Sequence, residues 1–400
     1  MALSAQPPLD ASSLITAQFA SLPAWDSLTT HIREYFYEPD LGALEIALSA
    51  ATSHYHKGAD PAWLFVLGPS GGDKGSVVIN SCLAMSNAHL MGDLTPKTFL
   101  SGYTGAPNAS LLTQIGSGIL VFKDFTTFMS KRQEEQAEIA AQLREIYDGF
   151  WKRNTGKGVE LEWHGKMTVI AAATPALERY WATLGDLGER FLQVRIARKD
   201  GLRQAEYAQR QAGKEEFITK HMRELASQLM CSSPPITFPP PILSQPQRYR
   251  ISCMSELLAH SRGKVPHGPK GDIIGIAEIE NSSRSSKELN SLVSGHAALF
   301  RRSSIDEHLD MWVAARVAKN SIPINRYLVL STLAASSEPV PTIDLLRKTR
   351  MPESSARFIL GDLESLGLVL SQSGSLENSH SLVEEYREMW ESAFAQPPVN

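Results

Sequence analysis

The sequence predicts an α/β fold: a parallel β-sheet covered by helices, followed by a helical region and a small helix-and-ribbon domain. Three observations carry this expectation. Strand-sized apolar runs alternate with helical stretches from Ala62 to about Ala197. The first run enters a glycine-rich loop that opens a helix, Gly68-Pro69-Ser70-Gly71-Gly72-Asp73-Lys74-Gly75-Ser76. From Ile322 to about Ser373 the pattern changes to short helices and a ribbon.

A chain of 400 residues exceeds one compact core, so several domains are expected. The divisions read as an N-terminal tail and helix (1–40), an α/β core (41–230), a proline-rich linker (231–247), a helical region (248–320), the helix-and-ribbon domain (321–375) and a C-terminal helix or tail (376–400). At 42% hydrophobic and 20% charged the chain is of globular type. The longest apolar runs, Leu64–Leu67 and Ile119–Phe122, are far too short to span a membrane. Met1 to Leu22 lacks the basic and apolar regions of a secretory signal. Cys82, Cys231 and Cys253 have no metal-type spacing, which points to a reducing cytoplasm without structural zinc. With a net charge of −4, any contact with nucleic acid has to use local basic patches.

Trp25 to Tyr37 suits a first helix. Asp40 suits an N-cap for a second, whose apolar face runs through Leu41, Leu44 and Leu48. Trp63 to Gly68 is a buried strand, and Lys74 to Met85 the helix after the loop. Gly118 to Phe125 and Met167 to Ala173 are further strands, with a long helix from Lys131 to Phe150 between them. Ser232 to Gln247 holds Pro234, Pro235, Pro239, Pro240, Pro241 and Pro246 and reads as a stiff crossing. Arg248 to Lys319 is mainly helical.

The loop after the first strand is the main chemical signal. In a phosphate loop the backbone N–H groups surround the phosphates, lysine reaches the outer ones, and the next hydroxyl holds magnesium. Gly68 and Lys74 stand where G-x-x-x-x-G-K-[ST] requires them. Asp73 replaces the glycine before the lysine, and Gly75 replaces the hydroxyl residue. A carboxylate about 5 Å from a phosphate charge costs roughly 3 kcal/mol at an effective dielectric near 20. Asp tolerates a left-handed backbone, which would preserve the loop's shape. Ser76 offers a magnesium-binding hydroxyl, but about 100° further around the helix. Without other signals the loop also suits an ordinary strand–turn–helix.

Three more segments join it. Gly118-Ile-Leu-Val-Phe-Lys-Asp124 is an apolar strand ending in an acid suited to magnesium, although Phe125 stands where a water-activating glutamate would be expected. Thr174, after Met167–Ala173, suits a residue that orients water near an outer phosphate, or equally a cap. Arg190, in Leu187-Gly-Glu-Arg-Phe191, suits a neighbouring subunit's nucleotide, or equally a surface salt bridge.

In order and spacing these segments resemble the AAA+ P-loop ATPases of bacterial mobile elements and phages, relatives of MCM-type replicative helicases. Further support comes from Tyr147-Asp-Gly149, Trp163-His-Gly-Lys166 and Glu280-Asn-Ser-Ser-Arg284. The resemblance covers roughly residues 40 to 370. It implies ATP and Mg2+ as cofactors, a helical lid over 248–320, a second sensor at Arg284, and ring assembly, as a hexamer, into a DNA motor or replication protein. It also implies that a hairpin before the first sensor grips DNA. Lys152, Arg153 and Lys157 are the candidates, on a turn before the strand pair Val159–Trp163 and Lys166–Ile170; the same run also suits a solvated turn.

The C-terminal pattern predicts helices over Asn325–Ala335, Thr342–Lys348 and Pro352–Leu366, then a ribbon through Leu368–Leu370: a winged helix-turn-helix. Its third helix would present Ser354, Ser355 and Arg357, with Lys348 and Arg350 beside it, to DNA or to a protein. The rival expectation is a non-hydrolysing DNA-binding or scaffold protein of AAA+ shape. A transcription regulator is a third, although no G-A-F-T-G-A loop is present.

Overall fold

The structure, a computed structural model, describes residues 22–85, 87–92, 94–96, 98–99, 110–154, 160–180, 187, 190–231, 240–373 and 378–394. Helix α1 (Pro23–Tyr35) starts on a proline, whose fixed φ suits a first turn and whose missing N–H costs nothing there. Helix α2 (Leu41–Ser53) follows, and the Asp40 side chain accepts the Ala43 N–H at 2.9 Å as its cap.

Five parallel strands form the central sheet: β1 (Trp63–Leu67), β2 (Ala88–Met91), β3 (Gly118–Phe122), β6 (Met167–Ala173) and β7 (Phe191–Arg195), in the order β2-β3-β6-β1-β7. The antiparallel hairpin β4 (Phe150–Asn154) and β5 (Glu160–His164) stands apart from that sheet. β1, β3 and β6 are buried along their whole length, which is why they read as unbroken apolar runs. The apolar side chains of each strand divide between two cores. Leu64, Val66, Ile170 and Val194 face α2 and the C-terminal helices, while Trp63, Phe65, Leu120 and Phe191 face the helix Gln133–Tyr147 and the β4–β5 hairpin.

Several expected boundaries shift. The segment after the loop is a π-helical stretch, Lys74–Ile79, running into a short α3 (Asn80–Cys82). α4 (Leu111–Ile115) precedes β3. The expected helix over 131–150 is a 3-10 turn (Phe125–Ser130) and α5 (Gln133–Tyr147), while Phe150 opens β4. The expected pairing of 159–163 with 166–170 does not form. Residues 160–164 pair with 150–154, and 167–171 join β3 in the parallel sheet.

Beyond β7 lie α6 (Gly201–Gln211), α7 (Glu215–Cys231) and α8 (Gln245–Arg262). Ser244 and Gln247 form a reciprocal capping box, so Pro246 belongs to the first turn of α8 rather than to a linker. α9 (Ser283–Leu299) lies along α2, and α10 (Met311–Ser321) along β7. A buried charge network joins them: His296 contacts Glu45 at 2.5 Å and Asp310 at 2.6 Å, and Arg302 also binds Asp310. Burial opposes charge on His296, but its two carboxylate partners outweigh that and raise its pKa.

The C-terminal part contains α11 (Ile324–Ala334), α12 (Thr342–Thr349), α13 (Glu353–Ser365) and an antiparallel sheet of order β8 (Val340–Pro341), β10 (Ser379–Leu382), β9 (Val369–Gln372). α14 (Glu384–Phe394) closes back onto α8. Arg326 ties α11 to the rest by donating to Ser261 O, Gly263 O and Asp362 Oδ2. Among the described residues no helix is long and apolar enough to cross a membrane.

Candidate functional site

The parallel sheet sends the ends of β1, β3 and β6 to one edge, with β6 between the other two. The chain leaves β1 towards β2 on one side and leaves β6 towards β7 on the other. The two connections run in opposite directions across the sheet, and it is at such carboxyl ends that open α/β sheets take ligands. The glycine-rich loop, Asp124 and Thr174 all lie at that edge.

Gly68 donates its N–H to Ala173 O at 3.2 Å, and it packs beside Ile196 and the Lys74 stem. Gly71 has φ +72°, the left-handed conformation that glycine adopts at least cost. Gly72 folds back onto Pro69 O at 3.3 Å, and Ser70 and Gly71 are exposed at the tip. Asp73 has φ −66° and ψ −11°, so the expected left-handed backbone at this position is corrected: it is right-handed helical. No glycine is needed there on backbone grounds. Gly75 has open space around its missing side chain, and Ser76 is exposed on the next position round.

Lys74 is buried and donates its Nζ to Pro69 O at 2.8 Å. Burial lowers its pKa, and the nearby Asp124 carboxylate acts in the opposite sense. Asp124 is exposed, and its Oδ1 accepts the Thr126 N–H at 2.9 Å. Thr126 Oγ1 in turn accepts the Thr174 N–H at 3.2 Å, joining the tips of β3 and β6. Phe125 is buried among Phe65, Phe122, Phe128 and Phe191, so the position after Asp124 serves the core. The described residues contain no group of three or more His, Cys, Asp or Glu suited to a metal. Any cation at Asp124 would therefore need ligands from water, a hydroxyl or a bound phosphate.

The structure adds residues that the sequence reading missed. Lys199, just beyond β7, forms an ion pair with Asp73 and also donates to Tyr37 O at 3.0 Å. Arg195, at the end of β7, pairs with Glu178 and donates to Asn320 O at 2.9 Å. The partners are separated widely in the chain, and no local motif announces them.

Arg190 and Arg284 lie together, but at the opposite edge. Arg190 precedes β7, whose Phe191 stands beside Trp63 at the start of β1, roughly 15 Å of strand from the loop. Its guanidinium sits over the Tyr147 ring at 5.4 Å and 3.7 Å from Asp148. Burial lowers its pKa, as does the charge of Arg284, and Asp148 opposes them. Arg284 lies 3.9 Å from Glu280. Tyr147 donates to the fully buried Glu288 at 2.5 Å.

Of the DNA candidates, Lys152 is exposed on β4 opposite Glu162. Arg153 is also on β4, with its side chain outside the described residues, as is the whole of Lys157. On the C-terminal module Lys348 and Arg350 are exposed, and Arg350 caps α12 with φ 56°. Arg357 is paired with Glu353 at 2.7 Å on the exposed face of α13. The neighbouring Phe358 stacks on His267 at 4.3 Å, so a segment of the chain itself lies against the outer face of α13. No family model matches the chain, and no curated protein matches it.

Proposed function

We propose that the chain is an AAA+ P-loop protein that binds ATP and Mg2+ at the carboxyl edge of its sheet and acts on DNA as a ring oligomer. The observation that carries this reading is the convergence of the glycine-rich loop, Asp124 and Thr174 on neighbouring strand ends at a topological switch point. In this reading Gly68 to Ser76 cradle the phosphates, Lys74 leaves Pro69 O for the outer ones, and Asp124 holds Mg2+ with Ser76 or water. Thr174 orients the attacking water. Arg190 and Arg284, remote from their own loop, serve the nucleotide of a neighbour, most simply in a hexamer. The β4–β5 hairpin, with Lys152, Arg153 and Lys157, grips the DNA backbone. The C-terminal helices and ribbon form a winged helix whose DNA face, Lys348, Arg350 and Arg357, is secondary.

A second reading rests on Phe125 and Gly75: a protein of the same shape that does not hydrolyse ATP. The two readings divide on phosphate release measured with and without single-stranded DNA. An ATP-driven motor predicts release that rises several-fold with DNA, and rises further in Gly75→Thr, whose added side chain has free space. No release by either protein, both folded, supports the second reading.

A further inference from the structure

Asp73 is the residue least suited to a phosphate loop, because it sets a carboxylate beside the lysine that phosphates need. Its side chain is nonetheless almost fully buried, with Lys199 against it. Lys199 is itself largely buried and is held from a second side by Tyr37 O at 3.0 Å. It comes from the segment leaving β7, the edge strand beside β1, so the pair ties the loop to the neighbouring strand's exit. Asp73 is right-handed helical, a backbone conformation that costs an aspartate nothing, so its carboxylate reaches Lys199 without strain.

We propose that Lys199 is a positioning residue of the phosphate loop: it neutralises Asp73 and holds the carboxylate away from the phosphates of a bound nucleoside triphosphate. The proposal rests on the reading of the loop as a phosphate site. Asp73 and Lys199 then form a unit, in which the charge introduced by one is cancelled by the other. Removing the lysine alone leaves a buried carboxylate that repels phosphate. Removing the carboxylate alone leaves an ammonium that attracts it. Removing both restores the balance.

The test is equilibrium binding of MgATP to the full chain, alongside thermal unfolding to confirm that each variant is folded. Lys199→Met is expected to weaken binding at least tenfold, and Lys199→Arg to bind within about threefold of the natural protein. Asp73→Asn is expected to bind as well or better, and Asp73→Asn/Lys199→Met to recover to within about threefold. Lys74→Met provides the control for the site itself. Binding that is lost in Lys74→Met but unchanged in Lys199→Met overturns the proposal and leaves the site intact. Equal weakening in Lys199→Met and Asp73→Asn, without recovery in the double variant, overturns it in favour of a purely structural tie. No binding by the natural protein, or binding indifferent to Lys74, overturns the phosphate-site reading and this proposal with it.

Discussion

Glu288 shows how a single buried residue makes the stability of this protein depend on pH. Burial raises its carboxyl from the ordinary 4.5 to about 8, opposed by the Tyr147 hydroxyl and by Arg262 and Arg284, and reinforced by Glu280. The unfolded chain gives up this proton near 4.5, whereas the folded chain keeps it to about 8. Its contribution is therefore complete below the unfolded value and is lost as pH rises through the folded one. Glu288→Gln keeps an oxygen for Tyr147 and removes the ionisation. Its melting temperature should match the natural protein at pH 5 and exceed it by about 3 °C or more at pH 9. Parallel melting profiles across that range would show that Glu288 ionises without cost. The same residue scale explains the loop: Asp73 has a distant counter-charge in Lys199, which no reading of neighbours along the chain reveals.

At the scale of elements, the packing of α9 on α2 depends on small residues. A side chain at Gly295 would stand 2.2 Å from Ser49 O and 3.0 Å from Ser53, so Gly295→Ala forces the helices apart. It should destabilise the fold by about 1–3 kcal/mol in urea unfolding. Gly75→Ala, helical and in open space, should instead gain about 0.5–1 kcal/mol. Equal effects of the two substitutions would contradict the close approach. Elements with a strong local signal were legible in the sequence: β1, β3 and β6 as apolar runs buried on both faces, and α2 through its Asp40 cap. β2 was not, because Ala88–Met91 is a short, half-exposed edge strand. The hairpin was misplaced because Phe150 reads as the end of a helix and the basic run after it as a turn, and only tertiary pairing makes 150–154 a strand against 160–164. Likewise Arg190 and Arg284 carried their motifs openly, but their meeting at the edge opposite the loop depends on where β7 and α9 dock.

For the whole molecule, the net charge of −4 means that the proposed DNA contact would use local patches, among whose described residues Lys152, Lys348 and Arg350 are exposed. The two edges of the sheet then have separate duties in the proposed ring: the carboxyl edge holds a subunit's own nucleotide, and the amino edge faces the next with the part-exposed Arg284, while Arg190 has to leave its buried place against Tyr147 to reach it. Arg190→Ala should therefore leave nucleotide binding by isolated subunits within about twofold and remove DNA-stimulated phosphate release, measured on the same preparation. A loss of binding in isolated subunits would place Arg190 at its own loop and contradict the separation of the two edges. The carboxyl edge is proposed as a nucleoside triphosphate site. Its most direct measurement is calorimetric titration of the folded chain with a Mg2+-bound, non-hydrolysable ATP analogue, beside Lys74→Met. A nucleoside triphosphate site there gives saturable binding at or below millimolar concentration that falls at least tenfold in the variant. The absence of binding at millimolar analogue, or equal binding by both proteins, would contradict it.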